Sequence, residues 1–193
     1  MKKKKSSGNF KLFLAFLILV LLVLLSIKMT DFVLKKMYPL TYSEYVDKYS
    51  SEYNLDRNLI FSVIKAESSF DSQAVSPRDA KGLMQIMDST GQWAAERMKI
   101  VDFQAEMLFE PETNIRIGCW YMARLLSQYD HNTELALAAY NAGSGNVSKW
   151  LKDEEISSDG QTLDSIPFEE TKNYISRIKK YNNMYKKLYD SEK

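Results

Sequence analysis

An all-α body behind one apolar N-terminal helix is the fold class this sequence predicts. Three observations predict it. Apolar residues recur at helical spacing through the long segments after Tyr42, and no stretch reads as a convincing strand. Leu12 to Ile27 is apolar apart from Ser26. At 193 residues the chain supports one main domain with a substantial core plus an appendage. No internal repeat divides it.

The apolar run comes first. Leu12–Ile27 makes roughly 24 Å of helix at about 1.5 Å per residue. Phe10 and Met29, with Lys11 and Lys28 snorkelling, extend it toward a hydrocarbon core of about 30 Å. Lys2, Lys3, Lys4 and Lys5 precede it and place the N-terminus in the cytoplasm by the positive-inside rule, so the body lies outside. A cleaved signal peptide would begin the same way. The small-x-small cleavage pattern is missing from Leu24 to Thr30, and no cysteine follows that could take a lipid, which favours an uncleaved single-pass anchor. Thr30 to Leu40 reads as a short juxtamembrane connection, with Pro39 as a break. The expected division is therefore 1–29 as lysines and anchor, 30–41 as linker and 42–190 as the folded domain.

Within that domain a helical pattern starts at Ser43, with Tyr42, Tyr45, Val46, Tyr49 and Tyr53 on one face. Asp56 is placed to cap the next helix, which is expected to end near Phe70-Asp71. Ser72 to Lys81, holding Ser76-Pro77, is polar loop. Asp88 or Ser89 is expected to cap a helix running through Trp93 to Met98. Glu110-Pro111 opens the next one, with Pro in the first turn. There Ile115, Cys119, Met122, Leu126 and Tyr129 make one stripe, so Cys119 reads as a core residue. An Ala-rich helix with Leu135, Ala138 and Ala139 stops at Asn141-Ala142-Gly143. A short helix follows over Asn146 to Leu151, then a solvated loop from Lys152 to Ser165. The last helix starts after Pro167 and carries Tyr174, Ile178, Tyr181, Tyr185 and Leu188 along one face.

Composition narrows the chemistry. Lys+Arg total 26 and Asp+Glu 25, but Lys2–Lys5, Lys11 and Lys28 all precede residue 30 while no acidic residue does. The remainder is net acidic, which argues against a nucleic-acid-binding body. One cysteine excludes an internal disulfide and a multi-cysteine metal site. His131, the one histidine, sits in a polar stretch that reads as a solvated turn. Chemistry falls to carboxylates, hydroxyls and amides.

One carboxylate stands out. Ile60, Val63 and Ile64 occupy i, i+3 and i+4, and Glu67 at i+7 continues the same apolar stripe. Desolvation there disfavours the charged form and raises the pKa, as a general acid near neutral pH requires.

Five segments in order then resemble one family. They are Glu67-Ser68-Ser69-Phe70; Ser76 with Ala80 to Met87; Glu110 to Ile115 with Gly118 and Tyr121; Ala138-Ala139-Tyr140-Asn141-Ala142-Gly143-Ser144-Gly145; and Ile166 to Thr171 with Tyr174. The set resembles the soluble-type lytic transglycosylases, whose catalytic domain is a lysozyme-like helical fold. Glu110 stands where that family usually has Asp, and Met122 where Leu is common.

The resemblance implies cleavage of the β-1,4 bond between N-acetylmuramic acid and N-acetylglucosamine in peptidoglycan. The muramic acid's C6 hydroxyl closes onto C1 and leaves a 1,6-anhydro end. Glu67 matches the single acid/base residue, protonating the leaving oxygen and then accepting the C6 proton. Ordinary glycosidases need two carboxyls. A tethered hydroxyl has high effective molarity, so one carboxyl suffices. By the same resemblance, Tyr140 is the hydroxyl beside the acid and Asn141 its neighbour. Gln85 and Met87 line the cleft, Ser76 meets glycan groups, and Glu170 and Tyr174 close the far wall. No cofactor or metal is implied; the partners implied are peptidoglycan strands and the membrane. The alternatives are a hydrolytic muramidase resembling goose-type lysozyme, and an inactive membrane-anchored glycan-binding module.

Overall fold

The computed structural model describes residues 7–190, so Lys2–Lys5 lie outside the described residues. The chain divides into an N-terminal unit ending at Pro39 and a body beginning at Leu40.

The N-terminal unit is one helix, α1, Ser7–Met37, of 31 residues. Its stretch Phe10–Met37 is long and apolar enough to cross a membrane. Side chains 10–33 are exposed, a pattern opposite to that of a soluble core helix. The expected connection after Met29 is replaced by helix as far as Met37. Asp31 and Lys35 pair at i,i+4 across 3.3 Å, and Lys35 and Lys36 sit in the last turn, where the helix dipole favours cations. Pro39 follows, and it cannot donate to an earlier carbonyl.

The body contains α2 (Ser43–Glu52), α3 (Arg57–Glu67), α4 (Asp88–Met98), a 3₁₀ turn (Ala105–Phe109), α5 (Pro111–Gln128), α6 (Thr133–Ala142), α7 (Ser144–Trp150) and α8 (Glu169–Tyr189). No strand forms among the described residues. Two isolated bridges, Val75 to Lys81 and Lys81 to Ile86, fold back the loop between α3 and α4.

The centre of the body is α3. Asp56 caps it by accepting from the Asn58 N–H at 2.8 Å. Every residue from Asn58 to Ile64 is buried, so the stripe read in sequence is one side of a helix covered all round. α2 packs on it from one direction and α8 from another, where Phe61 and Tyr185 stack at 5.5 Å. Ser62, polar within this core, donates to the Asn58 carbonyl at 2.6 Å. Ile115, Cys119 and Met122 are fully buried as their spacing required. His131 is exposed.

Two helix ends differ from expectation. α3 stops at Glu67 rather than at Phe70-Asp71. The Ser68 hydroxyl donates to the Leu83 carbonyl at 2.9 Å and accepts from the Phe70 N–H at 3.1 Å, while Ser69 and Phe70 take left-handed φ of 53° and 71°. A side chain offering the backbone other partners ends the helix early. α4 has Asp88 as its first residue, so the cap position falls on Met87, which makes no side-chain cap, and Asp88 pairs instead with Lys81 at 2.6 Å.

The 72–87 loop is fixed by polar contacts. Buried Asn114 accepts from the Met84 N–H at 2.8 Å and donates to the carbonyls of Lys81 (2.9 Å) and Leu108 (2.7 Å). Gly82 has φ +73°, and a Cβ there would stand 2.2 Å from the Leu108 oxygen. Gly118 on α5 is constrained by packing rather than by φ, since its Cβ would meet the buried Met84 sulfur at 2.3 Å.

Candidate active site

A groove of about 600 Å³ opens on the body, in the size range of a small-molecule or saccharide site. Glu67, Ser76, Gln85, Met87, Tyr140, Asn141 and Glu170 all line it. These positions come from α3, the pinned loop, α6 and α8, so the fold gathers onto one surface residues more than 100 positions apart in sequence (Glu67 to Glu170).

Glu67 closes α3 and is half-buried, with its carboxyl at the groove. Burial pushes its pKa up from 4.5 to about 7. Opposing that rise are a hydrogen bond from the Tyr174 hydroxyl to Oε1 at 2.7 Å and the charge of Arg177; Glu170 adds to it. A carboxyl so placed exchanges a proton near neutrality. Burial also drives the phenols of Tyr140 and Tyr174 well above their ordinary value, with the Glu67 charge adding to both, so each remains a donor.

Of the two tyrosines, Tyr140 stands near enough to Glu67 to feel its charge, while Tyr174 lies away from its expected place. Tyr140 lines the groove, but its hydroxyl donates to the Met84 carbonyl at 2.8 Å, and its ring packs on Tyr121 at 5.4 Å. Tyr174 is buried and does not form the far wall; it holds Glu67 from α8. The resemblance put Tyr140 beside the acid and Tyr174 at the far wall; that the Tyr174 hydroxyl is the one bonded to Glu67 depends on the α3–α8 packing.

The other expected residues sit at the groove with part of their polar capacity engaged. Ser76 Oγ accepts from the N–H groups of Arg78 (3.2 Å) and Ala80 (3.0 Å), leaving its own O–H to donate. Gln85, at φ 49°, donates from Nε2 to the carbonyls of Ala74 (3.1 Å) and Gly82 (2.9 Å), so its amide oxygen is the group left for a ligand. Asn141 Oδ1 accepts from the buried Thr171 hydroxyl at 2.8 Å. Met87 and Glu170 are exposed.

Arg78, Thr90 and Tyr121 also line the groove, beyond the site residues the sequence points to. Tyr121 did lie inside a motif, and its ring contact with Tyr140 is the tertiary fact that gives it a role. Arg177 carried no local signal; its effect on Glu67 comes from standing three residues beyond Tyr174 on α8.

Helical architecture, a saccharide-sized groove and one proton-tuned glutamate define a class, and the chain belongs to it: the transglycosylase SLT domain family matches residues 44–162. The soluble lytic murein transglycosylase of Salmonella typhimurium is 34% identical over 155 residues, covering 79% of this chain and 24% of that one. Membrane-bound lytic murein transglycosylase C of Edwardsiella ictaluri is 35% identical over 122 residues, covering 55% of this chain and 32% of the relative. The crystal structure of an inactive glutamate-to-glutamine mutant of the lytic transglycosylase Slt from Pseudomonas aeruginosa superimposes with TM-score 0.73 at 32% identity, covering 81% of this chain and 26% of that one. The chain thus spans about a quarter of the length of the soluble relatives it matches. The lysozyme-like helical expectation holds, and α8, which carries Tyr174, lies beyond the residues the family match covers.

Proposed function

We propose that this protein is a membrane-anchored lytic murein transglycosylase that cuts the β-1,4 bond between N-acetylmuramic acid and N-acetylglucosamine and leaves a 1,6-anhydro end. The observation that carries the reading is Glu67: a groove-facing carboxyl whose pKa stands at about 7, held by a phenol donor. Protonated, it gives its proton to the leaving glycosidic oxygen. Ionised, it takes the proton of the muramic C6 hydroxyl as that oxygen closes onto C1. A pKa near the working pH serves both halves of the cycle. The inactive glutamate-to-glutamine mutant of the Pseudomonas relative supports a glutamate in this role.

Ser76, Gln85, Met87, Asn141 and Glu170 bind the glycan in this reading, and Tyr140 shapes the wall between them. Tyr174 positions the acid rather than touching sugar. The exposed apolar helix supports a single-pass anchor, with the N-terminus cytoplasmic and the body on the outer side, beside strands near the membrane.

Glu170 gives a hydrolytic reading its one specific observation. It is a second carboxylate on the groove wall, and a second carboxylate can activate water. Mass spectrometry of a digest of purified peptidoglycan separates the two, because anhydro ends are lighter by one water than reducing ends. Anhydro products from the parent, and none from Glu67→Gln, are expected. Reducing ends throughout would overturn the lytic mechanism, and undiminished release by Glu67→Gln would remove Glu67 from it.

A further inference from the structure

The first two turns of α8 carry three polar side chains that meet the site: Glu170, Thr171 and Tyr174. Glu170 stands at the groove and Tyr174 holds Glu67. Thr171 is 1% exposed, a hydroxyl at a position that an isosteric valine would fill as well. That hydroxyl donates to Asn141 Oδ1 at 2.8 Å, across 30 positions of sequence, and makes no other hydrogen bond among the described residues. Asn141 lies near the end of α6 and lines the groove.

This bond decides which end of an amide the groove receives. A side-chain amide is nearly symmetric in shape, and half a turn about its last bond exchanges an acceptor for two donors. With Oδ1 toward α8, the Thr171 proton has its acceptor. With the amide reversed, Nδ2 would donate to Oγ1 and the hydroxyl proton would be buried with nothing to receive it, which is destabilising. The buried hydroxyl therefore selects one orientation. The two N–H groups of Nδ2, which bond nothing among the described residues, are left for the groove. Gln85 is arranged in the contrary sense: its donors are engaged by the Ala74 and Gly82 carbonyls, and its oxygen remains. The groove thus offers an acceptor on the loop side and a pair of donors at the end of α6.

We propose that Thr171 is a positioning residue for substrate binding: its hydroxyl orients Asn141 so that the amide presents N–H donors to an acceptor oxygen of the glycan. The proposal rests on the lytic reading for its substrate class and adds to it a residue that acts without touching sugar.

The test measures binding of soluble glycan fragments of purified peptidoglycan to the full chain carrying Glu67→Gln. Adding Thr171→Val, which keeps the shape and removes the proton, should weaken binding about fivefold to tenfold, and Thr171→Ser should leave it near the parent value. Asn141→Ala should weaken it at least as much. Thr171→Val added to Asn141→Ala should then have no further effect, because a residue that acts through another is silent once the other is gone. Asn141→Asp keeps an acceptor for Thr171 but replaces both donors by an oxygen, so it should bind as weakly as Asn141→Ala, a result that needs no Thr171 variant. Additive losses, equal losses from Thr171→Ser and Thr171→Val, undiminished binding by Asn141→Asp, or no binding of the fragments at all would each overturn the proposal. In the active chain, Thr171→Val should raise KM and leave kcat unchanged. A general loosening of α8 would instead disturb the Tyr174–Glu67 bond and move the pH at which activity falls, and that outcome also overturns it. If the parent cuts no strand, the lytic reading falls, while the coupling between Thr171 and Asn141 in binding still decides this one.

Discussion

The two sides of the groove differ in what holds their functional groups in place. The α3–α8 side is assembled by apolar burial, and its polar contact at the groove is the Tyr174–Glu67 hydrogen bond. The loop side, from Ala74 to Met87, also buries Leu83, Met84 and Ile86, but its groove-facing backbone is held by hydrogen bonds: Asn114 on three backbone groups, Tyr140 on Met84, Gln85 on Ala74 and Gly82. Apolar burial leaves a carboxyl poorly solvated, and so sets its proton affinity. Hydrogen bonds fix where backbone and amide groups stand, and so set shape. One side supplies the reactive group and the other the frame for a sugar.

Substitutions break that contrast at different strengths. Glu67→Gln has the largest expected effect, a loss of at least about 1,000-fold in release of soluble muropeptides, because an amide can carry out neither of the two proton transfers assigned to this carboxyl. Asn114→Ala should come next, costing roughly 3 kcal/mol in chemical denaturation by leaving buried backbone groups unpaired, and lowering turnover as the loop loosens. Gly118→Ala should also destabilise, by roughly 1–3 kcal/mol, because its Cβ would overlap the Met84 sulfur.

Two further measurements sharpen the comparison by pH. Activity should fall as pH rises through about 7, where Glu67 loses the proton its first step needs. Tyr174→Phe removes a bond that favours the carboxylate, so this falling limb should move to higher pH; loss of rate with an unmoved limb would assign Tyr174 a purely structural part. Stability carries the same signature. Glu67 binds its proton more tightly folded than unfolded, so its contribution weakens as pH rises from about 4.5 to about 7. Glu67→Gln should match the parent at pH 4 and exceed it at pH 8 by at most about 3 kcal/mol, read from denaturation midpoints.

Much of this was legible in the sequence, for reasons visible residue by residue. The stripes through Ile60–Ile64 and Ile115–Tyr129 follow from helical period, and Asp56 caps α3 because a short acceptor before an apolar run has one good use. The early stop of α3 was not legible, since the Ser68 hydroxyl chooses the Leu83 carbonyl only once the loop has folded back. Nor was the bond from Tyr174 to Glu67, since the motifs put Tyr140 beside the acid and Tyr174 at the far wall, and helix packing brought the second hydroxyl onto the carboxyl. The cluster of Trp93, Trp120, Tyr121 and Arg124 has no sequence signature, because it forms only across α4 and α5.

By itself the sequence determined the helices, the apolar anchor candidate, and the presence of a glutamate at the edge of a buried stripe. Periodicity and local hydrogen-bond chemistry act within a few residues, and those properties need nothing more distant. The proton affinity of Glu67, its phenol partner and the pocket beside it were decided only in three dimensions. Each depends on how much water is excluded around a group, and that is set by segments that meet only when the chain has folded.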